Sequence, residues 1–136
     1  MIKPFLAAPL ALVAYTSTAG PKFIDYDMGG SVLEYSQRIA EARRNGDDVR
    51  IRGKAYSAAT MWLDVACIYP YAQLGFHGAY GGSDVILPLM ESLKQSYWPV
   101  GVQEWYLIHA KALGPSEVAI MYGQQAIDLG ARECED

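Results

Sequence analysis

Apolar positions at Val32, Tyr35, Ile39 and Ala42 recur at helical spacing, and Glu34 and Arg38 form an i,i+4 pair on the polar side. The stripe predicts an amphipathic helix. Ser31 stands at the N-cap position, Glu34 three residues on completes a capping-box pattern, and Asn45-Gly46 supplies the stop. Upstream, residues 23–28 read as a short strand closed by Gly29-Gly30. Downstream, Val49 and Ile51 face one way and Arg50 and Arg52 the other, a strand that Gly53 is expected to break. The remaining pattern predicts a helix over 57–67, a strand over 71–77 and a loop over 78–82. Three helical stretches follow: 84–97, capped by Ser83 or Asp84 with Pro88 tolerated near its start, then 102–113 and 117–129.

Strands alternating with helices imply an α/β fold with a parallel sheet and right-handed crossovers. In such sheets sites form outside the carboxyl ends of the strands. Three chemically suggestive segments fall there. Asp27-Met28-Gly29-Gly30-Ser31-Val32 joins a strand to a helix, and its N–H groups suit an anion or an oxyanion. Gly53-Lys54-Ala55-Tyr56-Ser57-Ala58-Ala59 places a serine at a tight turn among small neighbours, with the Ala58 N–H as a second oxyanion donor. Leu74-Gly75-Phe76-His77-Gly78 puts a histidine at the end of an apolar strand, the usual partner of a serine nucleophile. Taken singly, each has a plainer reading: an ordinary turn, a helix-capping serine, a hydrogen-bonded structural histidine.

Composition narrows the class. Hydrophobic residues at 51% against 19% charged describe a globular chain, and 136 residues make one domain. The net charge of −4 and the lack of a basic run argue against nucleic acid. No Cys/His cluster has metal-ligand spacing, and no cofactor is expected. Two cysteines are too few for a disulfide scaffold and read as independent thiols. A Cys67–Cys134 bridge is the alternative if the protein leaves the cytosol. Residues 1–19 carry Lys3, an apolar run and a small-residue end at Ser17-Thr18-Ala19. They read either as a secretory signal peptide or as a first buried strand over 10–15. The first reading makes the protein periplasmic or secreted, the second cytoplasmic.

In order and spacing, the three segments resemble the Clp protease proteolytic subunit, a member of the crotonase superfamily. That family has a Ser-Pro-Gly-Gly-x-Val turn, a Gly-x-Ala-x-Ser-x-Ala nucleophile turn and a Met-Ile-His strand end. Here these are Tyr26 to Val32, Gly53 to Ala59 and Gly75-Phe76-His77, with serine and histidine 20 residues apart. Gln125-Ala126-Ile127-Asp128-Leu129-Gly130 resembles, more weakly, the family's closing turn. The resemblance implies a repeated β-α sheet over 20–136 with a shortened N-terminal unit. It also implies Ser57 as nucleophile, His77 as general base, and Gly29, Gly30 and Ala58 as the oxyanion site. The implied substrate is a peptide or unfolded protein, and the implied assembly a homo-oligomer with or without an unfoldase. Aromatic residues around Pro99 (Tyr97, Trp98, Trp105, Tyr106), with Ile108, are the candidate assembly patch, unless they complete the core.

Met28 replaces the family's proline. Alignment puts the family's third catalytic acid at Val118, whose neighbour Glu117 is the nearest carboxylate; Asp84 and Asp128 are weaker substitutes. These departures leave two other functions in play. One is a catalytically inactive assembly or binding module. The other is a crotonase-type acyl-CoA enzyme, against which the Ser57/His77 pair argues.

Overall fold

The computed structural model describes residues 20–80 and 83–136. The expectations for residues 1–19 lie outside that range. The order is β1 (Lys22–Asp27), α1 (Val32–Asn45), β2 (Val49–Tyr56), a 3-10 helix (Ser57–Asp64), β3 (Cys67–Ile68), β4 (Gln73–Phe76), α2 (Ile86–Gln95), α3 (Val100–His109), β5 (Ala119–Tyr122) and α4 (Gly123–Asp128). The sheet runs β1-β2-β4-β5. β1, β3 and β4 all pair parallel to β2, and β5 pairs antiparallel to β4. β3 takes the first half of β2 (Arg50↔Cys67) and β4 the second (Tyr56↔Gly75). The protein is thus mixed α/β with a mostly parallel five-stranded sheet.

α1 forms where the stripe predicts it. Ser31 Oγ accepts the Glu34 N–H at 3.3 Å, and Gly46 ends the helix in the left-handed conformation. Tyr35, Ile39 and Ala42 are its buried residues, and it packs against the 3-10 helix. The core is continuous through Ile39, Ile51, Met61, Leu74, Phe76, Val102, Tyr106 and Met121.

Four expectations are corrected. Gly53 does not end β2. It lies opposite the register shift in β1 between Ile24 and Tyr26, so it marks an irregularity inside the strand pair. The 57–67 helix is a 3-10 helix that stops at Asp64, because Cys67 and Ile68 are recruited as β3. The stretch 117–129 is not one helix: Ala119–Tyr122 is β5, and only Gly123–Asp128 is helical. Met121 pairs with Leu74 and is fully buried. Burying such a side chain stabilises by about 1.5–3 kcal/mol, several times the few tenths of a kcal/mol separating most residues' helix propensities. Finally, Trp98 and Tyr106 are core residues, their rings T-shaped at 4.8 Å, with Phe76 packed 5.0 Å from Trp98. Tyr97 and Trp105 pack against the same core, and Ile108 alone of the expected patch is strongly exposed.

The cysteines are not independent thiols. Cys67 and Cys134 are joined by a disulfide that ties β3 to the C-terminal segment. Cys134 N–H also bonds the Ile68 carbonyl at 3.0 Å, so covalent and backbone links run side by side.

Candidate active site

Because β1, β2 and β4 run parallel, their carboxyl ends meet at one edge. Asp27 pairs with Ala55 and Tyr56 with Gly75, which carries the chain after each strand to the same place. A cavity of ≈ 510 Å³ opens there. Gly29, Gly30, Ser57, Ala58 and His77 all line it, so five of the six expected site residues share one space.

Ser57 has φ 61°, and it is the single non-glycine residue with positive φ among the described residues. Such a conformation costs about 1–3 kcal/mol, so the surroundings must enforce it. They do so through a relay. Thr60 Oγ1 donates to the Ser57 carbonyl at 2.7 Å, and Trp98 Nε1 donates to Thr60 Oγ1 at 3.1 Å. The turn sets the half-buried Ser57 in the wall of the cavity at the start of the 3-10 helix. Ser57 Oγ makes no hydrogen bond among the described residues, which leaves it open to a ligand.

The glycine turn is more specialised than the motif suggests. Gly29 N–H donates to Asp27 Oδ1 at 3.1 Å, and the same oxygen accepts the Tyr35 hydroxyl. Burial first, then the bond to Asp27, raises the Tyr35 phenol to about 12. Gly29 is therefore not the oxyanion donor expected of it. Its contribution is space. At φ +92°, a Cβ there would meet the Tyr56 carbonyl at 2.7 Å, Ser57 Cβ at 2.8 Å and Ala58 N at 3.0 Å. The Gly30 N–H has no partner among the described residues. Ala58 is the second residue of the 3-10 helix, where N–H groups lack helical partners. Gly30 and Ala58 are the two donors left to an oxyanion.

His77 is 7% exposed. Its Nδ1 lies 2.7 Å from the Gly78 carbonyl oxygen. A carbonyl can only accept, so Nδ1 is the donor, and the tautomer this selects leaves Nε2 as an acceptor that has no partner among the described residues. Glu117 is not brought to this ring. Its side chain is exposed and outside the cavity lining, while Val118 is in it. Asp84 is exposed, and Asp128 is exposed and bonded to Gln124 at 2.9 Å.

Two residues behind His77, Lys94 and Glu91, carry no motif in the sequence, and they meet there with Tyr106. Lys94, only 3% exposed, lines the cavity and donates Nζ to the His77 carbonyl at 3.1 Å. Glu91 accepts the Tyr106 hydroxyl at 2.6 Å and the Ala79 N–H at 2.6 Å, and stands 3.9 Å from Lys94. Burial lowers the Lys94 ammonium, partly offset by Glu91. Burial would raise the Glu91 carboxyl, but the bonds from Tyr106 and Ala79 and the charge of Lys94 outweigh it and hold it below the ordinary carboxylate value. Burial and the bond to Glu91 push the Tyr106 phenol up. A signal existed: Leu87, Met90, Lys94 and Trp98 recur at helical spacing, which puts Lys94 on the inward stripe.

Among the described residues no group of three or more His, Cys, Asp or Glu is placed to hold a metal ion. No protein-family model and no curated protein matches this chain.

Proposed function

We propose that the protein is a serine peptidase with a Clp-protease-like, crotonase-superfamily fold, using Ser57 and His77. The reading is carried by one observation: a serine held at positive φ, a histidine whose Nδ1 donates to a carbonyl, and a Gly30 N–H without a partner among the described residues line the same cavity. Ser57 Oγ attacks the substrate carbonyl while its proton passes to His77 Nε2. The oxyanion is held by the Gly30 and Ala58 N–H groups. Collapse breaks the C–N bond, His77 returns the proton to the leaving amine, and water then hydrolyses the acyl-enzyme by the same route.

The disulfide supports an oxidising compartment, and export of the chain with it. There is no ATP there, so the proposed enzyme acts on peptides or unfolded segments without an ATP-driven unfoldase. The homo-oligomer implied by the resemblance is also part of the proposal; Val100, Leu107 and Ile108 on α3 are exposed apolar side chains that suit such a contact.

A second reading, an inactive binding module of the same fold, is favoured by the absence of a Ser57–His77 hydrogen bond among the described residues. Catalytic hydrogen bonds are often loose without substrate, so the enzyme reading stands first. Turnover of small peptide esters separates the two. The peptidase reading expects activity that Ser57→Ala and His77→Ala each abolish without loss of fold. Wild-type inactivity, or undiminished turnover by either variant, favours the binding module or another nucleophile.

A further inference from the structure

His77 sits at the start of a three-residue backbone segment that is fixed from several directions. Lys94 Nζ holds the His77 carbonyl at 3.1 Å. Tyr106 Oη approaches the same carbonyl at 3.4 Å. Gly78 N–H donates to the Leu113 carbonyl at 3.0 Å, and a Cβ on Gly78 would fall 2.2 Å from the Lys111 carbonyl, so the 111–113 turn fits only a glycine there. Ala79 N–H donates to Glu91 at 2.6 Å. The carbonyl between these anchors, that of Gly78, faces His77 Nδ1 at 2.7 Å.

We infer that Glu91 and Lys94 are positioning residues for His77, holding residues 77–79 so that the Gly78 carbonyl does the work of a third catalytic carboxylate. The inference rests on the reading of Ser57 and His77 as the reacting pair. A carbonyl oxygen meets the geometric requirement, since it accepts from Nδ1–H and so selects the tautomer with Nε2 free. Unlike a carboxylate it brings no full charge, and it keeps its place only if its backbone does. A buried lysine beside a half-buried glutamate is costly to maintain; Lys94 gives its hydrogen bond to the His77 carbonyl, and Glu91 accepts from Ala79, Tyr106 and Gln95. Tyr106 reaches both the Glu91 carboxylate and the His77 carbonyl, so the clamp is one connected unit.

The test is the tautomer of neutral His77, read by two-bond ¹H–¹⁵N correlation in histidine-labelled protein, with His109→Gln used for assignment. The wild type is expected to carry the proton on Nδ1. Glu91→Ala and Lys94→Met are each expected to move part of the population to Nε2–H. Each should also lower kcat on a peptide ester at least about tenfold with KM little changed, as sub-ångström misplacement of a base does. Glu91→Gln keeps a carbonyl oxygen for Ala79 and Tyr106 and should keep the tautomer. A wild-type ring protonated on Nε2, or a tautomer unmoved in folded Glu91→Ala and Lys94→Met, overturns the inference. If those variants do not fold, the wild-type spectrum decides. If the wild type is inactive yet the tautomer shifts as described, the peptidase reading fails and the positioning role stands.

Discussion

The strand-end edge and the C-terminal third of this protein are built by different rules. At the edge, three parallel strands deliver Gly29, Ser57 and His77 to one cavity, and local signals agree with the tertiary result: a cap, a stop and a small-residue turn. In the C-terminal third, local preference loses. Residues 119–122 join the sheet antiparallel, and Cys134 is fastened to Cys67 across 67 residues of chain. Topology places the chemistry, while long-range pairing and a covalent tie close the scaffold around it.

The largest effect is expected at the scaffold. Closing a loop of 67 residues removes denatured-state entropy equivalent to about 4 kcal/mol in the chain-entropy model. Reduction, or the Cys67→Ser/Cys134→Ser double variant, should lower unfolding free energy by about that amount in urea titrations. Neither cysteine lines the cavity, so activity at about 25 °C should persist while the fold holds. Loss of activity with undiminished stability would mean that the two regions are not separable in this way.

A smaller effect is expected from the clamp. The Glu91 carboxyl is held below its ordinary 4.5 in the folded protein, so its contribution is fully present above that value. It is lost as pH falls through the lower folded value. Stability should therefore decline below about pH 4.5, and Glu91→Gln should flatten that part of the profile. An unchanged slope in Glu91→Gln would mean that other carboxylates carry it.

The smallest effect tests the inherited expectation. Glu117→Gln should change kcat by less than about twofold, because His77 Nδ1 already has the Gly78 carbonyl and Glu117 lies exposed outside the cavity. A loss near the 10⁴-fold seen when a triad carboxylate is neutralised would restore Glu117 as the third member.

How much was legible follows from where each signal resides. The convergence of Gly29, Ser57 and His77 could be read because strand-end placement needs only element order and a topological rule. α1 was readable from spacing and its cap. β5 was not, because its fate depends on Leu74 and Gly75, some 45 residues away, and on burial of Met121. The disulfide was legible only as an alternative: two cysteines allow one pairing, but nothing in the sequence brings residues 67 and 134 together, and it is the fold that sets them side by side. Glu91 and Lys94 were missed because charged residues are usually solvated, and only the spacing of Lys94 with Met90 and Trp98 hinted otherwise. The Gly78 carbonyl was illegible in principle: a backbone oxygen has no letter in the sequence.

Whether Ser57 is an activated nucleophile served by His77 is decided by a fluorophosphonate probe with the labelled residue mapped by peptide mass spectrometry. A single adduct is expected on Ser57, absent in Ser57→Ala and strongly slowed in His77→Ala. Folded wild-type protein that takes no label, or takes it on another residue, would contradict it.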